Sequence, residues 1–428
     1  MQVSGEPLPH PPSIATTVDV PDLKNRKDGM KTCDQAPARR LILLGSTGSI
    51  GINTIEVVRH LASLPEEHRR THEVIGLAAG SRAVELEEQA RLLGVDDVAL
   101  ANPEQADQVS SDRRLRTGPD AARQLVKDIA RKGDMVVAAM VGAAGIPAIL
   151  DAIEIGCDIA LANKETLVSA GDIVTRAARK SGSTILPVDS EHSAIHQALT
   201  AGNTPGEVSR LVLTASGGPF REWPAKQVAE ATIEEALAHP TWNMGPKVTI
   251  DSASLMNKGL ELIEAHWLFD MPADKLEAVI HPQSIVHSMV EFVDGSVIAQ
   301  LSPPDMRMPI QHALTWPHRI EGSSPRLDLT DALSLNFEPI DAARFPAIEL
   351  ARQVIREGGT AGAVFNAANE AAVSAFLDGR ISFGRLSELV IEAVNRIPAQ
   401  PAESLQAIEA ADQEARRLVG ELVGMIPT

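Results

Sequence analysis

From Arg39 to about Val188, short apolar runs alternate with longer amphipathic stretches. RLILLG, EVIGLAAG, MVVAAMVG, DIALAN and TILPVD are near-continuous hydrophobic segments, the pattern of strands buried on both faces. Between them, NTIEVVRHLASL and AVELEEQARLLG repeat their apolar residues at helical spacing. Strand, helix, strand in this order predicts a doubly wound α/β domain over residues 39–188.

After Val188 the pattern changes. SRLVLTASGG and AVIHPQSIVHSMVEFVDGSVIAQLS show more alternation, and Asp294-Gly295 is a hairpin turn between FV and SVIAQL. This predicts an α+β domain over 189–320 with a mainly antiparallel sheet. Residues 321–341, rich in Ser, Pro and Asp, are expected to be a linker. FPAIELARQVIREGG, AVFNAANEAAVSAFLDG and ESLQAIEAADQEARRLVGELV then predict a small helical domain over 342–428.

Composition narrows the function. A formal charge of −18 argues against nucleic acid or an anionic membrane as a partner, so an anionic substrate needs a local cationic pocket. Two cysteines, Cys33 and Cys157, cannot build a disulfide framework or a four-cysteine zinc site, which fits a reducing cytoplasm. The absence of tyrosine excludes reductases whose proton donor is a Tyr/Lys pair. The longest apolar run, Met135 to Leu150, is too short to span a bilayer. Residues 1–38 are rich in proline and polar groups, match neither a secretory nor a transit signal, and are expected to be a disordered tail. Met30 is an alternative start.

Three regions carry candidate chemistry. In LILLGSTGSIG, Gly45, Gly48 and Gly51 follow a strand and precede a helix expected from about Ile52, the setting of a phosphate-binding turn. Their spacing departs from the usual dinucleotide fingerprint, and a turn that only tightens packing would look the same. Thr47, Ser49 and Ile50 are contact candidates. The next strand ends in Gly80, Ser81 and Arg82 rather than in the acid that binds an NAD ribose, which favours NADPH; Arg82 as a solvated helix-start residue is the alternative.

LPVDSEHSAIHQAL places Asp189 and Glu191 after a strand end, either as a site or as ordinary helix capping. DSASLMNKGLELIEAHWLF adds Asn257, Lys258 and Glu261 within one helical turn. Should Glu261 join Asp189 and Glu191, three hard oxygen ligands suit Mg²⁺ or Mn²⁺ rather than zinc; otherwise Lys258 and Glu261 are a surface pair. Ser216, Gly217 and Gly218 in LTASGGPFREWP, with Ser252, Asn257 and Lys258, offer the donor types that bind a terminal phosphate. HPTWNMG, with His239, Trp242 and Met244, suits a lid that excludes water, although Trp242 could equally be a core residue.

Taken together, GSTGSIG, VGAAG, LANKE, PVDSEH, SGGPFRE, HPTWNMG, DSASLMNKGLE, HPQSIVHSM, PPDMR and FNAANE resemble the 1-deoxy-D-xylulose 5-phosphate reductoisomerases of the methylerythritol phosphate route to isoprenoids, from Leu41 to the C-terminus. The resemblance implies that Asp189, Glu191 and Glu261 ligate one Mg²⁺ or Mn²⁺, with Co²⁺ a further candidate. It implies that Ser190 contacts the sugar phosphate substrate, that Ser216, Ser252, Asn257 and Lys258 hold its phosphate and hydroxyls, and that His239 and Trp242 close over it. By the same resemblance Lys164 lies near metal and nicotinamide, Asn163, Glu165, Met244 and Gly245 help place the cofactor, and Ser284 and Met306 line the far wall. The implied chemistry is a skeletal rearrangement, by retro-aldol and aldol steps or an α-ketol shift, followed by reduction with NADPH, in a homodimer. Two competing classes are a semialdehyde dehydrogenase with Cys157 as nucleophile and a non-catalytic NADP-binding sensor.

Overall fold

The computed structural model describes residues 38–66, 71–202, 204–242, 244–330 and 333–424. The tail expected over 1–38, with Cys33 and Met30, lies outside the described residues apart from Ala38.

Seven strands form the first sheet: β1 (Arg39–Leu44), β2 (His72–Ala79), β3 (Asp97–Leu100), β4 (Arg114–Thr117), β5 (Met135–Ala138), β6 (Asp158–Leu161) and β7 (Ile185–Pro187). Their order is β4-β3-β2-β1-β5-β6-β7, all parallel. Leu41–Leu44 and Met135–Ala138 are fully buried, so the apolar runs identify the central strands. The chain winds outward from β1 to β4 and then returns to β5 on the other side of β1. The carboxyl ends of β1 and β5 therefore flank the crevice where open α/β sheets bind ligands.

The apolar-run reading did not single out β3 and β4. Each has four residues, and β4 is a polar edge strand (RLRT) whose Arg114 and Arg116 bind Asp97 on β3.

A second sheet of β8 (Val208–Ala215), β9 (Leu276–Ile280), β10 (Val286–Phe292) and β11 (Val297–Leu301) has the order β11-β10-β8-β9. It is antiparallel except for β8 with β9. The expected hairpin is present: Gly295 has φ 84°, and Phe292 N donates to Ser296 O at 2.8 Å.

Among the described residues of 321–341 there is no helix or strand, only an isolated bridge between Glu338 and Ile280. The segment is nevertheless anchored, because the Glu338 carboxylate accepts from Arg221 at 2.6 Å in the SGGPFRE turn.

The C-terminal region has helices Ala347–Glu357, Ala361–Leu377, Phe383–Arg396 and Leu405–Gly424, one more than the three segments singled out above. They are not packed apart from the sheet. One continuous core contains Ile42, Val174 and Ile263 together with Phe365 and Leu389. Gly362 permits the closest approach: a Cβ there would lie 1.9 Å from the Val168 carbonyl oxygen on helix Lys164–Ser181.

Helix Ser190–Leu199 is tied to helix Arg307–Thr315 by two buried histidines, with His196 Nδ1 3.1 Å from His312 Nε2 and both rings edge-on to Trp316. Burial holds His196 down to about 4 and, with His196 beside it, His312 down to about 3. An unfolded histidine takes up its proton near pH ~6.5, so the unfolded chain binds more protons below that value. The pair's stability contribution is thus full above pH ~6.5 and is lost as pH falls toward about 4. Thermal midpoints between pH 7 and 4.5 should fall less steeply in His312→Gln than in the wild type; identical slopes would exclude the pair.

Candidate active site

The glycine turn lies at the crevice between β1 and β5. Gly45 has φ 89°, and a Cβ there would stand 2.3 Å from the Ala139 carbonyl oxygen, so only glycine lets β1 turn beside the β5 loop. Helix Ser49–Ser63 starts earlier than Ile52, with Gly48 at its N-cap and no side chain capping its amides. Gly51 sits in its first turn, where a Cβ would meet Ser46 O at 2.3 Å. Thr47 is buried, Ile50 half-buried and Ser49 exposed. The result is a free helix N-terminus over a backbone cradle, suited to a pyrophosphate. Gln89 fixes the turn from behind, donating to Ser46 O at 2.9 Å. Gly80, Ser81 and Arg82 are exposed where β2 ends, and Arg82 occupies the N-cap position of helix Ala83–Leu93 without a side-chain cap bond.

Asn163, 2 % exposed, turns inward. Its amide donates to the carbonyls of Met140 and Gly142 in the β5 loop, and its Oδ1 caps Thr166 N at 2.9 Å. It thereby fixes the loop facing the glycine turn and the start of helix Lys164–Ser181.

Asp189 follows β7 at the N-cap of helix Ser190–Leu199, but its carboxylate makes no cap hydrogen bond. It lies instead 2.8 Å from Lys164 Nζ. Lys164 also reaches Glu261 Oε1 at 2.9 Å and Asn257 Oδ1 at 2.7 Å. Lys258 Nζ donates to Glu191 Oε1 at 2.8 Å and to Glu261 Oε2. Asn257 Nδ2 donates to Glu261 Oε1, and Ser190 Oγ to Glu191 Oε2 at 2.6 Å. Oxygens of Asp189, Glu191 and Glu261 all lie within 4.8 Å of one another. Lys258 and Glu261 are 3 % and 1 % exposed, which rules out a surface pair.

The electrostatics follow from this crowding. Burial and the neighbouring Glu261 push Glu191 up to about 7. Asp189 moves the other way: burial is the largest single influence and raises it, but Lys164, His192 and Lys258 together outweigh burial and hold it well below the usual carboxylate range. Burial alone would lower Lys164 and Lys258, but Asp189 and Glu261 around the first and Glu191 and Glu261 around the second raise both. Three carboxylates facing two ammonium groups form a hard, oxygen-rich cage for a divalent cation.

A second group gathers the phosphate-donor candidates. Gly217 and Gly218, with φ 86° and 63°, turn the chain after β8 so that a Cβ on Gly218 would lie 2.8 Å from Ser252 O. His239 Nε2 lies 3.1 Å from both Ser216 Oγ and Ser252 Oγ, while its Nδ1 accepts from Thr241 N and Trp242 N at 3.1 and 3.0 Å. The imidazole is therefore neutral with its proton on Nε2, and burial lowers its pKa accordingly. Trp242 and Met244 are half-buried, Gly245 is exposed, and Asn243 lies outside the described residues. A sharp turn at Leu255 (φ 58°) separates Ser252 from Asn257. Ser284 is buried with φ 51°, a conformation that costs a non-glycine residue of order 1–3 kcal/mol. Met306 is half-buried and packs on the core beneath β1 and β7.

Residue spacing did not reveal His192, Glu264, Lys247 or Asp251. His192 Nε2 donates to the Glu261 carbonyl at 2.8 Å and its Nδ1 lies 3.4 Å from Glu264, both side chains wholly buried. Lys247 bridges Asp251 at 2.9 Å and Glu165 at 3.2 Å. Only the i, i+4 spacing of Lys247 and Asp251 is local enough to be visible in sequence.

Cys157 is fully buried, donates to Arg131 O at 3.4 Å, and is pushed up to about 12 by burial and by Asp134 and Asp158. No thiolate forms there, which removes the semialdehyde dehydrogenase reading. Among the described residues no helix is long and apolar enough to cross a membrane.

A parallel sheet with a glycine turn at its switch point, coupled to a carboxylate cage, places the chain among the dinucleotide-dependent oxidoreductases. Comparison with known proteins narrows this. Sequence models described as 1-deoxy-D-xylulose 5-phosphate reductoisomerase, its C-terminal domain, and DXP reductoisomerase C-terminal domain match residues 41–171, 185–269 and 301–418. The chain is 48 % identical over 401 residues to the 1-deoxy-D-xylulose 5-phosphate reductoisomerase of Rhodococcus jostii, covering 93 % of this chain and 97 % of that one. It is 50 % identical over 389 residues to that of Nocardia farcinica, covering 90 % and 95 %. The solved Zymomonas mobilis enzyme in complex with NADPH superimposes with TM-score 0.82 at 41 % identity, covering 91 % of this chain and all of that one. A DOX-P reductoisomerase in complex with NADPH, fosmidomycin and magnesium gives 0.83 at 38 % identity, covering 90 % and 98 %. The chain belongs to the 1-deoxy-D-xylulose 5-phosphate reductoisomerase family.

Proposed function

We propose that the chain converts 1-deoxy-D-xylulose 5-phosphate to 2-C-methyl-D-erythritol 4-phosphate, using NADPH and a divalent cation, in the non-mevalonate route to isoprenoids. The observation that carries this reading is the convergence of Asp189, Glu191 and Glu261 within 4.8 Å, braced by Lys164 and Lys258. The solved relatives that contain NADPH and magnesium support it.

The donor set fits Mg²⁺ or Mn²⁺, and the cradle at Gly45 and Gly51, which a Cβ would fill, fits a pyrophosphate. When bound, the cation supplies Lewis acidity toward the ketone and adjacent hydroxyl, and NADPH supplies the hydride. The chain's own groups bind, orient and exclude water. Gly45, Thr47, Gly48, Ser49, Ile50 and Gly51 hold the cofactor's pyrophosphate, and Gly80, Ser81 and Arg82 its 2′-phosphate. Ser216, Ser252, Asn257 and Lys258 donate to the substrate phosphate and hydroxyls, with Ser190 beside them. His239, neutral with its proton on Nε2, adds a donor between Ser216 and Ser252. Lys164 keeps its proton and steadies the charge on Asp189 and Glu261. Trp242 and Met244 close the site, with Ser284 and Met306 at its far wall.

Cofactor carrying deuterium at the transferring carbon should deliver one deuterium into 2-C-methyl-D-erythritol 4-phosphate, read by mass spectrometry. Unlabelled product, or none, would contradict the reading.

A cytoplasmic homodimer completes it. β11 is an edge strand, and Val293, Val297 and Ile298 around it are 68 %, 51 % and 39 % exposed. An unprotected apolar edge of this kind pairs readily with its own copy. Ile298→Lys is expected to convert the dimer to monomer in sedimentation equilibrium; an unchanged dimer would move the interface elsewhere.

A further inference from the structure

The lid segment HPTWNMG passes directly into a helix of 8 residues, Pro246–Ala253, with Gly245 at its N-cap. Thr249 anchors the join, donating to Gly245 O at 3.0 Å. Two faces of this short helix do different things. Ser252 points to His239 and the phosphate-donor group at 3.1 Å. Lys247, paired with Asp251, reaches Glu165 in the first turn of helix Lys164–Ser181.

Lys247 is the centre of that second face. Its ammonium lies between Asp251 Oδ2 and Glu165 Oε1, and the two carboxylates overcome the lowering effect of burial to raise its pKa, so it stays charged. Asp251, 1 % exposed, is fixed in turn by Asn369 Nδ2 at 2.8 Å from helix Ala361–Leu377. Glu165 is held through Oε1 alone; among the described residues its Oε2 makes no hydrogen bond. Glu165 also stands two residues from Asn163, which grips the Met140–Gly142 loop facing the glycine turn. Glu165 thus sits in the first turn of the helix whose N-cap residue grips the loop facing the glycine turn.

We propose that Lys247 is a positioning residue that aims Glu165 at the cofactor and ties it to the lid's exit helix, so that cofactor and sugar phosphate tighten each other's binding. The inference rests on the functional reading above. The physical basis is a single rigid element carrying one contact for each ligand, and binding linkage of this kind is reciprocal.

The test uses NADP⁺, which has no hydride to transfer, on the magnesium-loaded protein. Its dissociation constant is measured by tryptophan quenching with and without 1-deoxy-D-xylulose 5-phosphate. In the wild type the sugar phosphate should tighten NADP⁺ at least about 5-fold. Lys247→Met should weaken NADP⁺ roughly 10-fold and abolish the tightening, which corresponds to loss of one charge-assisted contact. Lys247→Arg should restore part of both. Combined with Glu165→Gln, Lys247→Met should add nothing further, because both act through one carboxylate. A structural defect alone would instead weaken magnesium binding as well. Should Lys247→Met melt below the assay temperature, Lys247→Gln with Asp251→Asn removes both charges and carries the same expectation. Retained tightening in Lys247→Met, or multiplicative effects with Glu165→Gln, overturns the inference. A wild type that turns over yet shows no tightening overturns it and leaves the proposed function standing, whereas a wild type that binds no NADP⁺ overturns both.

Discussion

Glu261→Gln is expected to lower turnover of 1-deoxy-D-xylulose 5-phosphate by more than about 100-fold, because partners outside a metal's own ligands already cost roughly 10–100-fold when removed. The residue is the hub of the cage. Lys164, Asn257 and Lys258 all donate to it, and it is 1 % exposed. Glutamine keeps the shape but removes one charge and turns one acceptor into a donor. That donor then faces an ammonium or the Asn257 amide, so the lysines lose their common anchor while the cation loses a ligand. Cofactor affinity should change less than about 2-fold, since the groups that donate to Glu261, Lys164, Asn257 and Lys258, all lie outside the glycine turn. Magnesium titration by calorimetry and turnover assays on the folded variant read both effects. Full activity without added metal would sink the assignment.

Gly45→Ala should act on the other half of the site, weakening NADPH by more than about 100-fold while leaving magnesium binding in place. The added Cβ would stand 2.3 Å from Ala139 O and 2.9 Å from Met140 N, both backbone atoms, at φ 89°. Neither neighbour can yield without moving β5, whose four residues are fully buried. The strain falls on the turn, which must open and lose its approach to the pyrophosphate. Gly206→Ala, with no heavy atom within 4 Å of its Cβ, is the matched control. Wild-type NADPH affinity in Gly45→Ala would place the cofactor elsewhere.

Legibility in the sequence followed the range of the interactions. The central strands were plain because burial on both faces demands unbroken apolar runs, as at Leu41–Leu44 and Met135–Ala138. β4 escaped because its register depends on Arg114 and Arg116 reaching Asp97, not on apolar residues. Helix Phe383–Arg396 was passed over although it buries Leu386, Leu389 and Val390 on one face, a periodicity that is there to be read. Within the site, Asp189, Glu191 and Glu261 were open alternatives until their carboxylates were seen to meet; motif order, not spacing, suggested it. Bonds such as Lys247 to Glu165, spanning 82 residues, leave no local trace. Asn163 shows a further limit: its motif suggested a cofactor neighbour, whereas the fold also makes it the clamp of the β5 loop.

The most direct test is NADPH oxidation, followed by absorbance, with 1-deoxy-D-xylulose 5-phosphate in the presence and absence of Mg²⁺. The expected result is rapid oxidation that requires both the sugar phosphate and the cation, and that stops on chelation. Oxidation at the same rate without any divalent cation would contradict a reaction built on Asp189, Glu191 and Glu261, and no oxidation under either condition would return the protein to the class of NADP-binding sensors.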